Sequence, residues 1–470
     1  MKSDSNDYVI RVFSSPLEVP AADWNALLAC QVEANPFMRH EYLTALHQSG
    51  SATPQTGWTP RFVTLWRGPA LAAACALYLK DHSYGEYVFD WAWANAYEQH
   101  GLSYYPKAVV ASPFTPVPGA RLLARDAPAR QALVKALVNW CGEQKLSSLH
   151  LLFAGEDDVA TCAQAGLMLR HTVQFHWKNV APTLVASRTA LDESPPDATT
   201  LRPVQARAGG LGAADLSPEE AELARGGPSL RSTAPTLAAG PFGSFEDFLA
   251  SLSHEKRKKI RQERRKVADA GVSFRWSLGR DIAPRDWDFF YRCYERTYYE
   301  HGNAPYLSRD FFLRMADTMP ENWLLFVAQR NGQPIATSLI AVSAGSTGAA
   351  GPFDANTARD AARPVAERVA YGRYWGALER VDCLHFEACY YQPLKWCIEH
   401  GFQRFEGGAQ GEHKMARALL PVKTTSAHWL AHPAFADAVE RFLAREGQGI
   451  EHYMDELERR NPFKHVGAPS

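Results

Sequence analysis

The chain predicts an α/β (α+β) fold in two tandem units, each a mixed central sheet flanked by helices. Paired motifs carry this reading. Tyr84-Gly85-Glu86-Tyr87 is echoed by Tyr371-Gly372-Arg373-Tyr374, and Trp140-Cys141-Gly142-Glu143 by Trp396-Cys397-Ile398-Glu399. Fifteen residues after each tryptophan stands a Gly-Glu pair, Gly155-Glu156 and Gly411-Glu412. A His-Trp pair closes each half, His176-Trp177 and His428-Trp429. The order repeats and one spacing is shared, as a duplication requires. A seam between copies is a natural place for a substrate.

The local patterns agree. In the second copy Ser244 and Asp247 form a capping box ahead of a broken apolar stripe, Phe245, Leu249, Leu252, Ile260 and Val267. A strand follows from Val272 to Trp276. The helix from Asp286 to Tyr299 carries Trp287, Phe290, Tyr291, Tyr294 and Tyr298 on one face, a core stripe. Asn331-Gly332 marks a hairpin between Leu324–Gln329 and Pro334–Val342. Strands are expected at Tyr371–Trp375 and Leu384–Cys389, a helix at Pro393–His400 ended by Gly401, and strands at Arg404–Gly407 and Thr425–Leu430. The first copy reads in parallel. A helix at Arg39–His47 precedes a hairpin from Arg61 to Leu79, which turns at Arg67-Gly68-Pro69. Strands follow at Tyr84–Phe89 and Lys107–Phe114, a helix at Ala129–Gln144, and strands at Leu149–Phe153 and Thr172–Trp177. A helix pair, a central hairpin, a crossover helix and a final strand describe an acetyltransferase-like (GNAT) unit.

Two stretches depart from globular composition. Residues 181–241 are rich in Ala, Pro, Gly, Ser and Thr and predict a low-complexity connector. The domains expected are therefore 8–180 and 242–470. Counting from Phe62-Val63 and Phe326-Val327 to the two Tyr-Gly motifs marks residues 343–366 as a loop insertion in the second copy.

Bulk properties narrow the class. The 470 residues are 46% hydrophobic and 11% aromatic, enough for proper cores. A net charge of -1 gives no global pull toward nucleic acid or membrane. Met1-Lys2-Ser3-Asp4-Ser5 leads into no apolar segment, and the longest apolar run, Ala70 to Leu79, is too short to span a bilayer. The eight cysteines form no Cys-x-x-Cys pair and read as reduced thiols. These point to a cytoplasmic protein without stable membrane insertion.

The motifs resemble the peptidoglycan biosynthesis/recognition family, a Fem-like branch of the GNAT acyltransferase superfamily. The strings are Asn35-Pro36-Phe37 with Arg39-His40-Glu41, His82 to Trp93, Tyr104 to Lys107, Pro113 to Val117 and Gln174 to Trp177. In the second half they are Lys256 to Arg261, Tyr371 to Gly376, Leu384 to Gln392 and Gly408 to Lys414. The resemblance implies two tandem GNAT-like acyltransferase domains. It implies transfer of an acyl or aminoacyl group to an amine, with a cell-wall precursor as acceptor and aminoacyl-tRNA or acetyl-CoA as donor. Small-molecule or cell-wall-precursor substrates and tRNA are the partners it suggests.

Acyl transfer needs a neutral amine, a base to take its proton, and donors for the carbonyl oxygen. In the second copy Glu387 or Glu412 is the expected base, His413 its partner or alternative, and Tyr390 an acid. His385 and Glu387 would share one face of a strand. His385, Lys414, Arg373, Tyr371 and Gln410 are expected to bind substrate, with Lys414 and Arg373 holding an anion. In the first copy Glu86, Asp90 and His82 form a second group, suited to a cationic amine or to an interface between copies. The run from Lys256 to Lys266, with Lys256, Arg257, Lys259 and Arg261, would grip RNA phosphates or an anionic precursor, or simply face solvent. His385, Glu387, Glu412 and His413 are also a candidate metal set, but no zinc-enzyme spacing is present and no metal is expected. The helix that starts at Gln392-Pro393 lacks the glycine pattern of a pyrophosphate-binding Gln/Arg-x-x-Gly-x-Gly/Ala loop, which weighs against a plain acetyl-CoA enzyme. The rival outside enzymology is a non-catalytic module that binds peptidoglycan or RNA.

Overall fold

The computed structural model of the chain describes residues 8–180, 240–343, 367–408 and 411–464. The expected connector 181–241 and insertion 343–366 lie almost wholly outside these residues, as does Gln410.

Thirteen strands among the described residues form one sheet. The first half supplies β1 (Val9–Phe13), β2 (Trp58–Arg67), β3 (Ala70–Lys80), β4 (Lys107–Val110), the two-residue β5 (Leu123–Ala124), β6 (Ser148–Ala154) and β7 (Met168–Lys178). The second supplies β8 (Val272–Leu278), β9 (Trp323–Arg330), β10 (Gln333–Val342), β11 (Val369–Ala377), β12 (Arg404–Glu406) and β13 (Leu420–Leu430). The order is β1-β2-β3-β4-β6-β13-β7-β12-β11-β10-β9-β8, with β5 beside β3.

Each half repeats the same construction. An antiparallel hairpin (β2–β3, β9–β10) pairs with a strand (β4, β11), which pairs in parallel with the strand after a crossover helix (β6, β12). The crossover helices are Ala127–Glu143 and Gln392–Glu399. The halves then exchange their last strands. β13 pairs with β6 of the first half, β7 pairs with β12 of the second, and β7 and β13 pair with each other from Leu420↔His176 to His428↔Met168. The copies are thus interlocked through the backbone ladder. The core crosses the seam as well: the rings of Phe37 and Tyr371 lie 5.4 Å apart, as do those of Tyr42 and Phe311.

Local chemistry explains most elements. Asn331 and Gly332 both take positive φ, 52° and 74°, the turn that matches strand twist. Asp126 and Ser244 cap their helices by accepting from Ala129 N and Asp247 N. Trp287, Phe290 and Tyr294 of the helix Pro284–Glu300 are buried in the shared core. The broken stripe after Ser244 becomes two helices, Phe245–Ser251 and His254–Asp269, because Leu252 is extended between them.

Three expectations are corrected. Residues 84–89 are a loop, not a strand: Gly85 and Tyr87 take positive φ of 81° and 60°, which interrupts extended pairing. Residues 384–391 are helical, a turn at Leu384–Phe386 and a π-helix at Glu387–Tyr391 that runs into the crossover helix. Leu384, Glu387, Ala388, Tyr391 and Leu394 are buried, the period of a helix and not of a strand. Finally, Tyr84–Tyr87 and Tyr371–Tyr374 do not occupy equivalent elements. The counterpart of β11 is β4, and the connections 81–106 and 343–368 are of equal length. The count that marked 343–366 as extra rested on that mismatch. The other three echoes fall on matching positions: the crossover helices, the turn after β6 or β12, and the exchanged strands.

The long helix Pro433–Arg459 packs on β7 and β13. Among the described residues no helix is long and apolar enough to cross a membrane.

Candidate active site at the seam

β11 and β12 run parallel for only three residue pairs, ending at Tyr371↔Glu406. Beyond that point β11 continues while β12 breaks into Gly407-Gly408, so the strands splay. Gly372 stands at the fork, where an added Cβ would meet the Phe405 ring at 2.9 Å. Gly408 takes φ of 82°. A crevice past the carboxyl ends of parallel strands is where open α/β sheets hold ligands.

A cleft of about 700 Å³ opens there. The first half contributes Ser83, Tyr84, Gly85, Tyr87, Phe89, Trp91, Phe114 and Pro116. The second contributes Tyr298, Tyr306, Leu307, Gly372, Arg373, Tyr374, His385, Tyr390, Gly407, Gly408, His413 and Lys414. The walls are aromatic, the titratable groups are basic or phenolic, and no carboxylate lines the cleft among the described residues.

Five expected residues meet in it. Tyr390 Oη and His413 Nε2 are 3.3 Å apart. His385 packs edge-on against Tyr390, with ring centroids 5.7 Å apart. Lys414 Nζ donates to the Gly408 carbonyl at 2.9 Å. Arg373 donates to the Phe114 carbonyl at 2.8 Å, across the seam. Burial pushes the His385 imidazole down to about 4, and the neighbouring His413, Arg417 and Lys414 charges add to this. Partial desolvation, then Arg417 and Lys414, also hold His413, which is exposed at the cleft, below its usual range. Burial brings Lys414 down to about 8 and raises the Tyr390 hydroxyl. At neutral pH both imidazoles are therefore neutral and Tyr390 keeps its proton. A neutral imidazole beside a phenol can accept a proton from an incoming amine.

The other expected residues lie elsewhere. Glu387 is buried, but its oxygens take two hydrogen bonds of 3.2 Å from Arg264 Nε and one of 2.7 Å from Gln392. In a helix, His385 and Glu387 point to different sides. Glu412 is exposed and accepts from Tyr453 at 2.7 Å and Arg460 at 2.8 Å. Neither carboxylate lines the cleft, so the expected base and the four-residue metal set are not assembled. Tyr371 is buried in the core against Phe37. Glu86 and Asp90 accept from the buried Lys107 ammonium, behind the cleft wall and not facing it. His82 accepts from Tyr84 N at 3.2 Å beside Lys80. Lys256, Arg257, Lys259 and Arg261 stand on the helix His254–Asp269 and line no part of the cleft; Arg261 pairs with Glu246.

Several lining residues were not singled out by sequence reasoning, among them Tyr87, Phe114 and Tyr306. Their signal was the aromatic density of the run His82 to Trp93 and of Pro113-Phe114. Tyr298, read as core, packs against the core and also lines the cleft. Glu406 was also missed. It is buried where β12 ends, and burial raises its carboxyl to about 7 against the Arg404 charge.

Two interlocked α/β units with a basic, aromatic cleft at the fork of one unit's parallel strands define the class. The chain belongs to the FemAB-like family, described as peptidoglycan biosynthesis/recognition, whose profile matches residues 15–183 and 236–465. Comparison with curated proteins returns no match. Among solved structures the chain is similar to FemX (10% identity, 92% of this chain and 100% of that one, TM-score 0.43). It is similar to L-PGS from Bacillus licheniformis (9% identity, 87% and 98%, TM-score 0.42). It is also similar to a tandem GNAT protein from the clavulanic acid biosynthesis pathway (12% identity, 91% and 99%, TM-score 0.38).

Proposed function

We propose that the protein is a Fem-like acyltransferase that moves an acyl or aminoacyl group onto an amine in the seam cleft. The observation that carries this reading is the Tyr390–His413 pair, 3.3 Å apart beside the Gly407-Gly408 backbone, in a cleft that no carboxylate lines among the described residues. The amine nitrogen attacks the donor carbonyl. His413 takes the proton that the amine loses as the C–N bond forms, and Tyr390 is placed to protonate the leaving oxygen as the donor ester breaks. The family description supports a cell-wall precursor as acceptor.

The crossover helices favour an aminoacyl ester over acetyl-CoA as donor. The first is capped by the Asp126 carboxylate, and the start of the second, at Gln392, lies within the helical run from Leu384 with its N–H bonded to the Glu387 carbonyl, so neither crossover helix presents a free first turn to a pyrophosphate. The exposed Lys259 and Arg261 on the helix His254–Asp269 would then face the tRNA part of the donor.

The test is transfer followed by mass spectrometry, with a panel of aminoacyl-tRNAs and cell-wall precursors offered to the full chain. His413→Asn and Tyr390→Phe are each expected to lower kcat by about a hundredfold with little change in KM. Wild-type rates in both variants would overturn the assignment. Micromolar binding of acetyl-CoA by calorimetry would overturn the donor.

A further inference from the structure

His413 is exposed and stands on a six-residue 3-10 turn, Glu412–Arg417, so whatever fixes that turn fixes the reach of the imidazole to Tyr390. Just before the turn the ring lies against the bare backbone of Gly411, where an added Cβ would meet His413 Cε1 at 2.5 Å. At its end Arg417 is buried, and its guanidinium donates back to the His413 carbonyl at 2.7 Å. The same guanidinium lies 3.5 Å over the Phe386 ring and donates to both oxygens of Glu263, at 3.0 and 2.9 Å.

Glu263 is the one acid in the run Lys256 to Lys266, which holds eight Lys or Arg residues, and it is buried. It also accepts from the Tyr391 hydroxyl, and Tyr391 follows Tyr390 on the π-helix Glu387–Tyr391. The next residue of its helix, Arg264, donates to Glu387 at the other end of that π-helix, at 3.2 Å. The helix His254–Asp269 thus grips both elements that carry the reacting pair, and Glu263 touches both. A planar guanidinium meets two carboxylate oxygens and a carbonyl at once, a geometry that an ammonium group does not reproduce. Displacing reacting groups by about 1 Å can cost about a hundredfold in rate.

We propose that Glu263 and Arg417 are positioning residues for the transfer: they hold the turn Glu412–Arg417 to the π-helix and so set the distance from His413 to Tyr390. Neither lines the cleft. The proposal rests on the transfer reading for the work of His413, but the alignment stands on the hydrogen bonds alone.

The test reads alignment and rate separately in the full chain. Alignment is read by NMR from the His413 Nε2 resonance of histidine-labelled protein, with and without Tyr390→Phe. Loss of the Tyr390 hydroxyl, 3.3 Å away, is expected to shift that resonance in the wild-type background. In Arg417→Lys, which keeps the charge and loses the planar grip, the same step is expected to vanish, and kcat to fall about tenfold with little change in KM. Tyr391→Phe cuts only the link from Glu263 to the π-helix; it is expected to act in the same direction more weakly, and it decides the matter if Arg417→Lys does not fold. Arg275→Lys is the control. It breaks a comparable grip on Asp286, at 2.9 and 2.6 Å, away from the cleft, and is expected to change neither readout. If Tyr390→Phe moves no resonance in the wild type, or moves it equally in Arg417→Lys and Tyr391→Phe, the proposal fails, whatever the rates. A step that vanishes in a protein without transfer activity upholds the alignment and overturns the transfer reading alone.

Discussion

Glu387 and His413 sit one helix apart, yet their surroundings assign them opposite work. Glu387 is buried against Arg264 and Gln392, so its charge is spent on holding the helix His254–Asp269 to the π-helix. Burial raises its carboxyl from the usual range, against the Arg264 charge. Glu387→Ala leaves the partly buried Arg264 without its acid. The expected loss is about 2 kcal/mol, checked by urea denaturation, with the Tyr390–His413 geometry retained. His413 faces Tyr390, and partial desolvation, then the Arg417 and Lys414 charges, disfavour its protonated form. As a base it works only when neutral. The acid limb of kcat/KM is therefore expected below pH 6.5, with activity lost as pH falls through the depressed value. A limb above 6.5 that disappears in His413→Asn would contradict the sign of this shift.

At the scale of an element, the loop 81–106 shows how a chain holds a cleft wall without a strand. Lys107 at the start of β4 gathers Ser83 Oγ and Glu86 Oε2, each at 2.8 Å, and the Asp90 carboxylate. Lys80 at the end of β3 holds the Tyr84 carbonyl at 3.2 Å and lies over the Trp58 ring. The two lysines face each other in register across the β3–β4 pair, so the ladder itself sets the anchors. The tether carries the exposed aromatics Tyr84, Phe89 and Trp91 to the cleft. Lys107→Met strands two buried carboxylates. Glu86 is already pushed to about 7 and becomes neutral, whereas Asp90 loses the cation that keeps it ionised. The expected cost is about 3–5 kcal/mol by denaturation, with new proteolytic cleavage between residues 81 and 106. Unchanged stability would show that the loop is held by its aromatic contacts instead.

At the scale of the molecule, the exchanged strands make the halves one folding unit. β7 finds its backbone partners on β12 and β13, and both belong to the other half. The buried His150 and His428, adjacent on β6 and β13, meet Nδ1 to Nδ1 at 2.7 Å and add a polar contact across the exchange. A fragment of residues 8–180 alone is therefore expected to lack native structure by circular dichroism and to regain it when co-expressed with residues 240–470. A fragment that folds by itself, with a cooperative melt, would show that the exchange is dispensable.

The sequence by itself determined the repeat, the hairpins and the crossover helices, because local spacing, caps and turns encode them. The Trp-Cys, Gly-Glu and His-Trp echoes landed on equivalent elements for that reason. It also brought five of the cleft residues to notice: His385 and Tyr390 through a stretch read as a strand and its end, His413 and Lys414 beside a Gly-rich loop, and Arg373 within a Tyr-Gly motif. Only the tertiary structure decided which carboxylates were occupied: Glu387, Glu412, Glu86 and Asp90 are claimed by cations distant in sequence, and no local pattern announces an ion pair. The strand exchange was likewise invisible, because β7 and β13 look alike in sequence whichever half they complete. Partner choice is a property of the assembled sheet, where backbone groups must all be satisfied at once.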